Sequence, residues 1–461
     1  METAVRRQFF TRDRDFYRRF FRLLFYIALQ NVIVTSVSLA DNVMLGSYSQ
    51  EALAGVAQVN QIQFLLQMVV SGAGEGMLVL TAQYWGRRDT AAIKKVIAIA
   101  LRVCFVAGVL MMLVTLIAPR QCLELLLQNP AEIEEGVKYL RVMTYSYIIF
   151  CVSNVLVSAL RSVENVRLGM GISLCSLMIN VTLNYGLIFG HLGMPRLGTY
   201  GAALATLTAR VVELIVVVWY VLKKEQVLKL RPSDLRVHDK ALNRDFARAA
   251  LPVMFTSASW GVAMGLQAAI LGHMDTGNTA SAVASSSVAN SVFQIISVLC
   301  YGASSAAGIL IGKAVGRDDR ELVKSYTRTL QVIFLMIGAI TGLLLYAVRE
   351  PILNIYQELT PETREMSRQF MTVLAVTVVG TSYQVAVLSG IVRSGGSPKV
   401  QMYNDIIFMW CIVLPLSALG AFVWELSPVV VFAILKCDQV LKCGTAVIVC
   451  NRYRWIKRLA R

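Results

Sequence analysis

"SGAGEGMLVLTAQYWGRRD", residues 71–89, runs from small residues through an apolar stretch into Gly-Arg and an aspartate, and "YGASSAAGILIGKAVGRDD", residues 301–319, does the same. The two share Gly72/Gly302, Ala73/Ala303, Leu80/Leu310, Gly86/Gly316, Arg87/Arg317 and Asp89/Asp319 at a shift of about 230 residues, close to half the chain. A second pair recurs at a similar shift: "LRSVENVRLGM" from Leu160 and "VRSGGSPKVQM" from Val392 repeat an Arg-Ser step and a later basic residue. The chain reads as a duplication.

Outward from these stretches, apolar runs lie near 20–45, 52–80, 93–117, 137–160, 166–190, 198–222, 248–272, 281–312, 324–347, 366–391, 400–424 and 428–450. Each is long enough to cross about 30 Å of hydrocarbon as a helix. The composition agrees, with 56% hydrophobic and 16% charged residues and a mean hydropathy of +0.60. The runs lack the ten-residue alternation of a membrane β-barrel. The expected fold is an all-α membrane protein of twelve transmembrane helices in two six-helix lobes. An even number of spans per copy gives both copies one orientation, so the lobes form a parallel internal repeat. The expected division is an N-terminal lobe, 1–222, a charged cytoplasmic linker, 223–247, containing Pro232, and a C-terminal lobe, 248–461.

The net charge of +16 does not point to nucleic acid. With the N-terminus inside, inner segments hold roughly 33 Lys/Arg and outer ones about 7, which places both termini in the cytoplasm. The twin arginine in "VRRQFFT" precedes a run too long for an export signal and reads as a cytoplasmic arm. Nine cysteines show no metal or redox spacing. His191, His238 and His273 are isolated, and neither an H-E-x-x-H pattern nor a phosphate-binding G-x-x-x-x-G-K-[ST] run occurs, so a membrane-embedded enzyme or an ATP-driven pump has no motif behind it. A secondary transporter working by alternating access fits the two-lobed plan.

Helical depth, at about 1.5 Å per residue, groups several polar residues near the outer side of the first lobe. Asp41 lies about five residues inside the outer end of the first apolar run, Asn180 and Asn184 share a face of the fifth at i, i+4, and Thr206 and Arg210 lie on the sixth; Gln58 and Gln61 on the second lie at comparable depth. Amides in a bundle serve equally as interhelical hydrogen-bond partners. A carboxylate there needs a cation, a proton or several hydrogen bonds. Arg210 has two rival partners, Asp41 and its own i+3 neighbour Glu213. In the second lobe Trp260 and Met264 share a face that suits either an aromatic substrate pocket or packing. Asp405 is expected to snorkel to the inner surface or to pair there with Lys399 or Arg393, as a gate or a structural contact. Glu75 is a further intramembrane acid, with Ser305 at the equivalent repeat position.

The ordered set "ALQNVIVTSVSLADNVMLGS", "LTAQYWGRRD", "LRSVENVR", "INVTLNYGLIFG", "GTYGAALATLTAR", "GILIGKAVGRDD" and "GIVRSGGSPK" resembles the multidrug and toxic compound extrusion (MATE) family across essentially the whole chain. The resemblance implies an antiporter that moves organic cations or drugs out of the cell in exchange for H⁺ or Na⁺. It places Asp41 and Asn180 in the first lobe's cation or proton site, joined at the same depth by Asn184 and Thr206. Gln58, Gln61, Arg210, Trp260 and Met264 are the candidate cavity residues. It also marks departures: Asn184 where many relatives carry aspartate, Tyr26 where many carry a proline, and Thr256, Ser257 and Ser259 where some carry an acid after Pro252. No cofactor is expected beyond the coupling ion. The expected partners are a small organic cation and the lipid bilayer, with no nucleic acid and no required oligomer, in a bacterial plasma membrane. A flippase for a lipid-linked or other amphipathic substrate is the alternative, favoured by an arginine-lined cavity.

Overall fold

The computed structural model describes residues 10–125, 127, 129–225, 228–231, 233–234, 239–274, 279–355 and 360–459. Pro232 and His238 lie outside the described residues. The regular structure among the described residues is helical: α1 Arg14–Tyr48, α2 Gln50–Gly86, α3 Thr90–Ile117, the short α4 Pro119–Glu124, α5 Pro130–Ser162, α6 Arg167–Phe189, α7 Gly198–Lys223, α8 Lys240–Gly272, α9 Thr279–Gly316, α10 Arg320–Ile355 and α11 Pro361–Val385. A π-helical segment, Ala386–Val392, continues α11; a second, Ile406–Val413, joins α12 Pro398–Asp405 to α13 Leu414–Phe422; α14 Pro428–Lys436 and α15 Asp438–Arg452 complete the chain. Eleven helical spans among the described residues are long and apolar enough to cross a membrane. The twelfth apolar run is the pair α14 and α15, interrupted at Cys437.

The duplication is visible in the backbone. Arg88 and Asp318 both take φ 61°, and the aspartate after each caps the next helix: Asp89 Oδ1 accepts from the Ala92 N–H at 3.0 Å, and Asp319 Oδ1 accepts from the Leu322 N–H at 3.0 Å. At the second repeated motif, Glu164 and Gly396 occupy equivalent positions with φ 65° and 103°. The shared "GRxD" motif is thus a turn that reverses the chain between spans.

The molecule divides into two compact units, Leu29–Ala258 and Met1–Ala28 with Ser259–Arg461. The division cuts α1 after Ala28 and α8 after Ala258, so each half of the duplication gives the start of its first helix to the other unit. Small residues on the repeated stretch explain this exchange. In the first unit a Cβ on Gly72 would fall 2.6 Å from Met254 Cα, and one on Gly76 would fall 2.4 Å from Ala250 Cα, so α2 lies directly on the backbone of α8. In the second, a Cβ on Gly302 would meet Leu24 Cδ1 at 3.2 Å and Ala28 Cβ at 3.3 Å, so α9 lies against α1. Equivalent glycines make equivalent seats. The second unit also has a continuous apolar core that includes Leu345, Phe370, Val413 and Phe432, the two phenylalanines stacked at 4.1 Å.

Candidate functional site

α1 carries Asp41 two turns before its end, α6 carries Asn180 and Asn184 one turn apart, and α7 carries Thr206. Their side chains form one hydrogen-bonded chain within the first unit. Asn184 Nδ2 donates to Asp41 Oδ1 at 2.5 Å and to Asn180 Oδ1 at 3.2 Å, and Asn180 Nδ2 donates to Thr206 Oγ1 at 3.2 Å. Asn180, Asn184 and Thr206 are buried, at 1%, 0% and 8% exposure, whereas Asp41 is half-buried. Tyr139 of α5, itself buried, lies against Thr206. One atom is left over: among the described residues, the buried Oδ1 of Asn184 has no hydrogen-bond donor. A carboxylate beside an orphaned amide oxygen is an acceptor-rich site, suited to a proton donor or a small cation.

Arg210 touches neither of its expected partners. Its guanidinium lies over the ring of Phe150, 4.7 Å from the centroid. Its charge reaches Asp41 and Glu213 only at longer range, and no ion pair within 4.0 Å involves it among the described residues. Stacking on an aromatic face lets a guanidinium stay buried without a fixed carboxylate. Gln58 is half-buried and Gln61 exposed, and no hydrogen bond among the described residues joins either to the Asp41 chain. Trp260, exposed, and Met264, half-buried, belong to the second unit, where neighbouring Ser259 accepts a hydrogen bond from Trp410 Nε1 at 2.6 Å.

Two further polar groups are buried. In the first unit Arg161 Nη2 donates to Gln30 Oε1 at 2.8 Å, Gln30 Nε2 donates to Ser173 Oγ at 3.3 Å, and Glu75 lies within the field of Arg161. In the second unit Asp405 pairs with Lys442, at 2.8 Å, rather than with Lys399 or Arg393. The expected partners are near in sequence, but α15 brings Lys442 across from a facing helix, and a cross-helix contact spares Asp405 from reaching back along its own segment. Asp438 also holds Lys442, at 3.0 Å. The signal for this pair in the sequence is an acid four residues ahead of a lysine inside an apolar run.

The MatE family model matches residues 27–186 and 252–419, one stretch in each half of the chain. A relative from Thermotoga maritima, "Probable multidrug resistance protein NorM", is 24% identical over 422 residues, covering 88% of each chain. Among solved structures, a MOP superfamily transporter from Pyrococcus furiosus, described as having a binding pocket of reverse polarity that suggests a different function, superposes with a TM-score of 0.87 at 17% identity over 100% of both chains. An outward-facing multidrug resistance MATE family transporter superposes with a TM-score of 0.85 at 18% identity, covering 96% of this chain and 98% of that one.

Proposed function

This chain belongs to the MatE family, and we propose that it is a secondary exporter that moves organic cations or drugs out of the cell by alternating access, in exchange for H⁺ or Na⁺. The name of the Thermotoga relative supports the substrate class. The single observation that carries the coupling is the Asp41 chain, an acid held by amides with an orphaned acceptor beside it.

Asp41 stands about 10 Å from the end of α1 by helical rise, close enough to exchange with external water when its lobe is open outward. When that side seals, a bare carboxylate in a dry bundle is costly, so the sealed state requires a bound proton or cation. The occupied and empty forms therefore prefer different conformations, which is the differential binding that coupling needs. Protons fit better than Na⁺: the chain holds one carboxylate, and Asn180, Asn184 and Thr206 add only neutral oxygens, whereas hard cations are held best by several charged ones.

The cations within the spans do not favour a phosphate-bearing lipid as substrate. Arg161 has Glu75 in its field, Arg210 has Asp41 and Glu213, and Lys442 has Asp405 and Asp438. The Lys/Arg asymmetry supports an orientation with both termini in the cytoplasm. The test is export of a fluorescent organic cation such as ethidium from liposomes containing the purified chain, with pH and Na⁺ gradients imposed separately. A pH gradient alone should drive it. Drive by Na⁺ alone would reverse the ion assignment, and no export under either gradient would end the antiport reading.

A further inference from the structure

Three spans of the second unit are irregular, and their irregularities converge. Gln384 stands two residues before the π-helical segment Ala386–Val392, Asp405 stands immediately before Ile406–Val413, and Asp438 opens α15 directly after the break at Cys437. α15 packs on α11 and on both π-helical segments. Their side chains form one network around Lys442. The ammonium lies 2.8 Å from Asp405 Oδ1 and 3.0 Å from Asp438 Oδ2, Gln439 Nε2 donates to Asp438 at 2.9 Å, and Gln384 Nε2 donates to Gln439 Oε1 at 2.8 Å.

The two carboxylates are not equivalent. Asp438 is 1% exposed and sits one turn from Lys442 on the same helix, so an intact α15 keeps the two within reach of each other. Asp405 is 26% exposed and comes from another helix, at the start of a π-helical segment. π-helical segments concentrate at functional sites, where a helix changes register. Other charged or titratable neighbours among the described residues are Cys437, which directly precedes Asp438, Lys436, whose ammonium donates to Gln267 Oε1 at 3.2 Å and acts on Asp438 from farther off, and Tyr301 of α9.

We propose that Lys442 is a tethered counter-cation of the transport cycle: it stays on Asp438 throughout and alternately grips and releases Asp405, so that the irregular helices of the second unit move between two arrangements without binding an ion of their own. Lys442 is a positioning residue here, acting through Asp405 on the helix break beside it. This inference rests on the transporter reading and assigns the second unit a part in it that the Asp41 chain does not supply. A purely structural cluster would need only satisfied charges. A switch also needs one contact that breaks cheaply, and the partly exposed Asp405, which water solvates on release, meets that need.

The decisive variant is Asp405→Asn, which keeps the shape and leaves the Lys442–Asp438 pair whole. In liposomes where the wild type exports ethidium, it should fold with an unchanged melting temperature, keep KM within about twofold and lose at least ~10-fold in kcat. Lys442→Arg keeps the charge, but its rigid fork holds both carboxylates at once, and it should likewise lower kcat at unchanged KM. Wild-type kcat in either folded variant overturns the proposal, because a structural cluster tolerates both changes. Absence of export by the wild type itself would count against the transporter reading instead.

Discussion

At the residue scale the Asp41 cluster was largely readable. Asn180 and Asn184 fall at i, i+4, and counting rise along α1, α6 and α7 put Asp41 and Thr206 at their depth; the hydrogen bonds join all four. The same counting failed for Gln58 and Gln61, because depth fixes height along the axis and says nothing of rotation about it. Tyr139 and Phe150 were hidden among many aromatics, and Lys442 lost its partner to nearer residues in sequence. Asn184→Asp would set a second carboxylate against the first, and two touching carboxylates do not both stay bare. Export by this variant should show a displaced pH profile or a new response to Na⁺, read by repeating the gradient assay from pH 5.5 to 9. An unchanged profile with no Na⁺ response would mean that Asn184 does not share a functional site with Asp41.

At the scale of elements, close backbone approach decides where α8 lies. Gly76→Ala would place a methyl 2.4 Å from Ala250 Cα, inside van der Waals contact with backbone that has no flexible end to yield. Overpacking of this kind costs about 1–3 kcal/mol, so thermal unfolding in detergent should begin several degrees lower, while Gly171→Ala, which meets nothing within 4 Å, should leave it unmoved. The linker before α8 is tied to the start of α3. Lys94 lies 3.3 Å from Asp234 and Lys95 lies 3.3 Å from Asp239. The backbone N–H of Arg231 and then Lys94 hold the Asp234 carboxyl below its ordinary range, and the N–H of Leu242 and then Lys95 do so for Asp239. A depressed carboxyl pKa contributes stability that is complete above the ordinary value near 3.8 and lost as pH falls below it, so the tether should hold throughout the neutral range. Replacing both aspartates by alanine should speed tryptic cleavage within residues 223–248 severalfold at pH 7.5, measured on gels. Equal rates would show that the ion pairs do not restrain the linker. The break at Cys437 and the two π-helical segments were not legible, since an apolar run gives length and orientation but not hydrogen-bond register.

At the scale of the whole molecule, the paired stretches "SGAGEGM…GRRD" and "YGASSAA…GRDD" carried the architecture, and the matching turns at Arg88 and Asp318 follow from them. The division into units was less readable. The sequence repeat is expected to break in the linker, whereas the compact units divide within α1 and α8, because glycine seats on α2 and α9 hold the starts of those helices. On the transporter reading, the acid near the end of α1 couples ion entry to export. The most direct test compares Asp41→Asn with the wild type, both reconstituted in liposomes at equal folded protein, in ethidium export driven by an imposed pH gradient. The variant should fold and bind ethidium but lose gradient-driven export, whereas export by Asp41→Asn at the wild-type rate would show that Asp41 is not the coupling group.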